Sequence, residues 1–510
     1  VIVETPLQTG WPAMAALLLL LVGLWLGGHA LRPVRRQGLP LLAVAVLALV
    51  VRLFVIPAWS RHAFDGHEAE YWDIFRGVRA LSRGGPVLYP SMQWFWATLG
   101  AVLPADPHVP VLVSALFGVG SVVALGVAVA LLADGPAGVL AALVLALHPV
   151  HAAWSSSAYH VVHPYFFATL SLLAVAALLQ RGAEGSARER VGLSMVLAAS
   201  LALAVATRIE AGLYALPCVL LLFLSRAEGA LPWRQRLLAL PALVTGGVLA
   251  LLAARPILFP GQLPGTGDHA VAFAGNVGIL AYHAPFDTLP ALLLVAAGAL
   301  LALRRWPLPT VLLAVFAVGN HLLMATFDDY GDRHTLPAAW AIAWAIGAGS
   351  RAVPGQARRL GVALALGGLA VTASGLSPLR TTYYGPEERF LALLDSPPYD
   401  ELPRHPLERV ATVVAPPGRC GWVAEDFRVA RDPPRSHFNV LDPVEADGLR
   451  GPDGCLRWCA DVQDWRWSSR GVRDRATRLH HLYETMPVGV VEDADSGFAC
   501  VVWQLGRRVH

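Results

Sequence analysis

Apolar runs long enough to form helices recur along this chain from residue 11 to residue 376. No other feature constrains its fold so strongly. About 20 apolar residues coiled as an α-helix match the hydrocarbon thickness of a bilayer, and a helix satisfies its backbone polar groups internally. The runs are rich in Leu, Ala and Val and lack the dyad alternation of a membrane β-barrel. Only 15% of the 510 residues are charged, whereas 55% are hydrophobic. A soluble chain carries about a quarter charged residues. The expected fold is mostly α: a polytopic membrane helical bundle of about twelve spans. The expected spans are 11–31, 39–57, 109–132, 137–153, 164–180, 191–206, 209–225, 237–255, 289–303, 308–325, 336–350 and 360–376. Several are short for a crossing, and 191–225 reads as broken or tilted helices.

Arginine placement orients the spans. The loops 32–38, 181–190, 226–236, 304–307 and 351–359 hold fourteen arginines, and with the turn 133–136 they hold four acids. Cytoplasmic loops collect basic residues, so these loops face inward. Both termini and the C-terminal region then face outward. Residues 1–38 read as an extra N-terminal membrane helix and basic inner loop. The stretch before that helix lacks a basic n-region and no A-x-A site follows, so it is expected to remain as a span. Residues 39–377 form the main transmembrane domain, with a first outer loop at 58–108. Within it, 91–104 reads as an interfacial or re-entrant helix. Residues 378–408 read as a linker with a short helix at 386–395. Residues 409–510 read as a small α/β or α+β soluble domain, with strands near 410–415 and 488–493 and a helix near 471–485. No internal repeat is evident.

The net charge of +3 gives no reason to expect a nucleic-acid partner. All 39 basic residues are arginine, which excludes lysine Schiff-base chemistry and leaves Arg or His as the phosphate-binding cations. Cys218 lies in an apolar run. Cys420, Cys455, Cys459 and Cys500 lie in the polar C-terminal region, where they would form up to two disulfides in an oxidising space. The C-x3-C spacing of Cys455 and Cys459 also suits a metal.

Between two apolar runs sits FDGHEAEYWDIFRG, residues 64–77. Acids there would cap helix N-termini, and Asp65 with Glu68 has capping-box spacing. The order of the surrounding motifs points further. A membrane helix with a basic inner end leads to an outward loop, Asp65-Gly66-His67-Glu68-Ala69-Glu70-Tyr71, and then to GGPVLYPSMQWF (84–95) and another span. LALHPVHAAWSSSAYHVVHPYFFATL (145–170), ATRIEAGLYALP (206–217) and DRHTLPAAWAIAWA (332–345) follow. This order resembles the GT-C membrane glycosyltransferases, in particular the bacterial branch similar to protein O-mannosyltransferases and the lipid A aminoarabinose transferase. The resemblance covers residues 39–376. It departs at one place: the family's Asp-Glu pair is His67-Glu68 here, with Asp65 two residues upstream.

The resemblance implies transfer of a sugar from a polyprenyl-phosphate donor to an envelope glycan, lipid or protein acceptor on the periplasmic face of the bacterial inner membrane. Asp65, His67 or Glu68 would supply the base, and the departure at His67 leaves open altered or lost activity. Arg208 is the first choice for the donor phosphate and Arg333 the second, because the guanidinium fork matches phosphate oxygens. Glu210 would pair with Arg208, structurally or at the substrate. Tyr71, Tyr159, His160 and His163 would touch the substrate; interfacial hydrogen bonding is the plainer role for the histidines. No cofactor is required. A divalent metal on Asp65, His67 and a histidine from 160–163 is the alternative, although no HxxxH or HExxH motif is present. Trp422, Trp458, Trp465, Trp467 and Trp503 would fill the small C-terminal core or stack on sugar. Two other functions stay open: a secondary transporter with a broken-helix site near 206–209, and an inactive lipid-binding relative acting as an envelope scaffold.

Overall fold

Proline, glycine and short polar turns divide the apolar runs into separate helices. The computed structural model describes residues 6–59, 74–75, 90–104, 106, 108–156, 161–181, 185–225, 232–258, 289–324, 326, 332–353, 355, 456–461, 483–493 and 498–508. The helices are α1 (Pro6–Gly27), α2 (Gly38–Trp59), α3 (Pro90–Val102), α4 (His108–Leu132), α5 (Gly135–Leu147), α6 (Pro149–Trp154) and α7 (Val162–Arg181). They continue as α8 (Ala187–Thr207), α9 (Ala215–Leu224), α10 (Trp233–Arg236), α11 (Leu240–Leu258), α12 (Leu289–Arg305), α13 (Pro307–Met324) and α14 (Leu336–Arg351). Three-residue-per-turn segments at Gly28–Gln37, Ile209–Tyr214, Leu237–Ala239 and Asp332–Thr335 connect them.

The expected spans up to residue 350 fall largely on helix, with 137–153 broken at His148; 360–376 and the linker lie outside the described residues. Among the described residues six stretches are long and apolar enough to cross a membrane: Trp11–Ala30, Val34–Leu53, His108–Leu132, Val162–Gln180, Ala187–Thr207 and Pro307–Met324. Gly135–Leu147, Ile209–Leu224 and Leu240–Ala253 are shorter apolar helices. The chain is a multi-pass membrane protein. Large apolar side chains on α1, α2, α11 and α13 are exposed, as a lipid-facing surface requires.

Small residues let the helices approach closely. A Cβ on Gly23 of α1 would lie 2.8 Å from the Gly192 carbonyl oxygen of α8, and one on Gly192 would lie 2.5 Å from the Gly27 nitrogen. Without a hydrophobic driving force between helices in lipid, such van der Waals contact carries the association. α7 is buried along most of its length, between α4 and α8. α14 packs on α5, α12 and α13.

Helix direction gives the bundle two ends. The basic end holds Arg35, Arg36, Arg304, Arg305 and Arg351. There Arg351 Nε donates to Asp134 Oδ2 at 2.5 Å, and Asp134 also caps α5 through the Ala137 N–H at 2.9 Å. The opposite end holds the close of α2, which precedes the acidic stretch 60–73 in the chain, and the helix breaks at His148, Arg208 and Thr335.

Near the C-terminus, β1 (Leu456–Asp461), β3 (Phe498–Arg508) and β2 (Tyr483–Asp493) form an antiparallel sheet in the order β1-β3-β2. The expected strand at 488–493 falls within β2. The helix expected to reach 485 does not, because strand begins at Tyr483; pairing with β3 overrides the local helical preference. The strand expected at 410–415 lies outside the described residues.

Candidate functional site

The break between α8 and α9 is built by the sequence TRIEAGLYALP. Thr207 Oγ1 donates to the Leu203 and Ala204 carbonyls at 2.9 and 2.8 Å, and the Ala204 carbonyl also accepts the Arg208 N–H at 2.9 Å as the last turn of α8 closes. Pro217 removes a backbone donor two residues into α9. Arg208, which closes α8, adopts an extended backbone, with φ −162° and ψ 122°. Its Nε and NH2 groups donate to one oxygen of Glu210 at 3.2 and 3.1 Å. The Arg208 side chain is 13% exposed, less than the 33% of Glu210. Tyr214 and His334 lie within electrostatic reach of the pair.

Aromatic rings floor this break. Tyr214 packs against Trp340, Phe316 and Tyr165, with ring centroids 5.0, 5.2 and 6.0 Å away. Trp340 is fixed by donating its indole N–H to Thr169 Oγ1 at 3.0 Å. Asn320 Nδ2 donates to the His334 carbonyl at 3.2 Å and ties the 332–335 turn to α13.

A second arginine lies deeper, at Arg52 of α2, which is fully buried. Its Nε donates to Ser155 Oγ at 2.6 Å, its NH1 to the Ala48 and Ala146 carbonyls at 2.7 and 3.4 Å, and its NH2 to His151 Nδ1 at 2.7 Å. Gly118 of α4 makes the room, since a Cβ there would lie 2.9 Å from Arg52 Nε. Pro149 explains the placement of His148 and His151. The residue before a proline is driven out of the α region, and His148 sits at φ −64°, ψ 116°. α5 ends there, and His148 Nδ1 accepts the His151 backbone N–H at 3.3 Å as α6 begins.

The site expected from the sequence is brought together in part. Arg208 and Glu210 pair as expected. Arg333 lies on the 332–335 turn that leads into α14, at the same end of the bundle. His163 is 1% exposed among Phe117, Trp96 and Phe95, with ring centroids 4.4, 5.7 and 5.8 Å away, and neither ring nitrogen has a hydrogen-bond partner among the described residues. Its surroundings are apolar and aromatic. Asp65, His67, Glu68, Tyr71, Tyr159 and His160 lie outside the described residues. Among the described residues no three His, Cys, Asp or Glu side chains gather as metal ligands would.

Sequence reasoning passes over Arg52, Tyr165, Tyr214 and Trp340. For Arg52 a signal is present: one arginine within an otherwise apolar span is costly and marks function or a buried network. The aromatic residues carry no such signal, because rings in an apolar helix usually serve packing.

The fold and this polar end define a polytopic membrane protein with buried arginines at the close of its helices. Among solved structures it is similar to ArnT from Cupriavidus metallidurans bound to undecaprenyl phosphate, at 14% identity and a TM-score of 0.49, covering 90% of this chain and 97% of that one. It is also similar to the Archaeoglobus fulgidus oligosaccharyltransferase in complex with Zn and sulfate, at 12% identity and a TM-score of 0.39, covering 74% of this chain and 59% of that one. Both neighbours are GT-C glycosyltransferases. No family model matches the chain, and no curated protein matches it.

Proposed function

We propose that this chain is a membrane glycosyltransferase that moves a sugar from a polyprenyl-phosphate donor to an envelope acceptor at the outward face of the bacterial inner membrane. One observation carries the reading. Arg208 stands at a helix break, little exposed, at the end of the bundle where α2 releases the acidic loop 60–73. A cation for a leaving phosphate and acids for an acceptor hydroxyl are the two requirements of glycosyl transfer.

In this reading a base from Asp65, His67 or Glu68 takes the proton of the acceptor hydroxyl. The acceptor oxygen attacks the anomeric carbon, and the bond from that carbon to the phosphate oxygen breaks. Polyprenyl phosphate leaves with the electron pair, and its growing charge is met by Arg208, with Arg333 as the second cation. Tyr71, Tyr159 and His160 contribute to substrate contacts, while His163 lies in an aromatic cluster and serves packing. The lipid tail runs between helices, where exposed apolar side chains offer no barrier. The arginine distribution supports a twelve-span arrangement with the C-terminal domain outside the cytoplasm.

Mass comparison of envelope glycans with and without the gene tests the assignment. The expected result is loss of one sugar modification, restored by the wild-type gene and not by the triple variant Asp65→Ala/His67→Ala/Glu68→Ala. Full restoration by that triple variant removes the mechanism.

A further inference from the structure

Arg52 raises a question that the break at Arg208 does not answer. It sits at position 52 of a helix that starts at 38, about 21 Å along the axis. Its partners are two backbone carbonyls, a serine hydroxyl and a histidine nitrogen, all neutral. Among the described residues no carboxylate meets it. A fully buried guanidinium within a membrane span is well hydrogen-bonded here but lacks a counter-charge among those residues.

Its bond to His151 has a chemical consequence. Arginine has only donors, so His151 Nδ1 must be the acceptor. His151 is therefore neutral, and its remaining proton is on Nε2. That Nε2–H is buried and has no partner among the described residues, and neither has the hydroxyl of Tyr165, whose ring centroid lies 5.3 Å from that of His151. Two buried donors without acceptors among the described residues belong to neighbouring rings, and one of them is polarised by a cation behind it. Native interiors leave such groups unmade only rarely.

Resting on the glycosyltransferase reading, we infer that His151 Nε2–H and Tyr165 O–H bind an oxygen of the donor phosphate, and that Arg52 is a positioning residue acting through His151. Arg52 sets the tautomer that makes His151 a donor and supplies the charge that favours an anionic oxygen. Four of its five N–H donors are held by Ala48, Ala146, Ser155 and His151, so it acts through His151. These contacts add to that of Arg208, which offers its fork to the same phosphate directly. The same oxyanion chemistry would suit a carboxylate of the acidic loop, and the experiment separates the two.

The test is 15N-histidine NMR of the full chain in nanodiscs, with His151 assigned through His151→Gln and farnesyl phosphate as the probe. The expected His151 spectrum shows Nδ1 unprotonated and Nε2 protonated, with the Nε2–H signal moving as probe is added. Tyr165→Phe should weaken probe binding by about tenfold while its melting temperature stays equal or rises, since the lost hydroxyl has no partner among the described residues. Arg52→Gln should keep the Nε2–H tautomer through its amide donor yet weaken binding, whereas Arg52→Met should lose both. A His151 signal indifferent to saturating probe overturns the inference. So does a signal that moves on Asp65→Asn/Glu68→Gln in the absence of probe and not on adding it. If probe binding is lost in Arg208→Met while His151 stays silent, only this inference fails. If no probe binds to the wild type, the glycosyltransferase reading fails with it.

Discussion

Arg208 gives two of its N–H groups to a single oxygen of Glu210, at 3.2 and 3.1 Å, across a helix break. In the proposed reaction a carboxylate in that place neutralises the guanidinium between substrates, and an arriving phosphate competes with it. Arg208→Met is expected to lower sugar transfer by roughly a hundredfold or more, as loss of a transition-state charge partner does. Arg208→Lys keeps the charge without the fork and should fall between the two. Glu210→Gln should tighten binding of a polyprenyl phosphate several-fold while lowering thermal stability. Transfer assays and lipid titration of the purified variants measure both. Undiminished turnover in Arg208→Met would remove this residue from the mechanism.

The floor of the break makes a separate prediction. Trp340 donates to Thr169 Oγ1 at 3.0 Å, and Thr169 donates onward to the Tyr165 carbonyl at 2.7 Å. Both Trp340 and Thr169 are fully buried. Thr169→Val keeps the shape and strands the indole N–H, which costs about 1–3 kcal/mol. Thr169→Ser keeps the acceptor and loses only a methyl group, at about 1 kcal/mol. Thermal unfolding followed by tryptophan emission should rank the variants in that order; equal stability of Thr169→Val and the wild type contradicts the bond.

Several of these features are legible in the order of the amino acids. The helix positions follow from apolar length alone, because a bilayer permits few other solutions. The break at Arg208 is visible as a charged pair inside an apolar run. Arg52 is visible too, but the sequence does not show that His151 and Ser155, about a hundred residues away, meet it. Nor does it show which way His163 turns. Its neighbours Phe95, Trp96 and Phe117 come from two other helices, and no local pattern encodes that encounter. In the C-terminal region the stretch before 485 carries a helical pattern, yet the strand from Tyr483 depends on a partner strand further along the chain.

Close contact between α1 and α8 can be tested by adding one methyl group. A Cβ on Gly192 would lie 2.5 Å from the Gly27 nitrogen and 2.7 Å from Leu26 Cβ, so part of the atoms met are backbone and cannot swing aside. Gly192→Ala should destabilise the protein by roughly 1–3 kcal/mol through overpacking. A methyl group on Gly28 would meet nothing within 4 Å, and Gly28→Ala should be near neutral or stabilising. Thermal aggregation in detergent compares them; equal midpoints would show that α1 does not need this contact.

At the basic end, Asp134 performs two tasks that substitution can separate. Its Oδ1 accepts the Ala137 N–H and caps α5, while its Oδ2 accepts from Arg351 Nε at the end of α14. Asn is as good a cap as Asp, so Asp134→Asn removes the charge and leaves the cap. Both side chains are little more than a quarter exposed, and such pairs contribute about 0–1 kcal/mol once solvent screening is allowed for. Asp134→Ala removes both functions and should cost about 1–2 kcal/mol, most of it from the cap. Added salt should narrow the gap between wild type and Asp134→Asn but leave the gap between Asn and Ala, because screening acts on the charge pair and not on a short capping hydrogen bond. Thermal midpoints in low and high salt give the comparison. A salt-sensitive gap between Asn and Ala would mean that the charge, and not the cap, holds α5 in place.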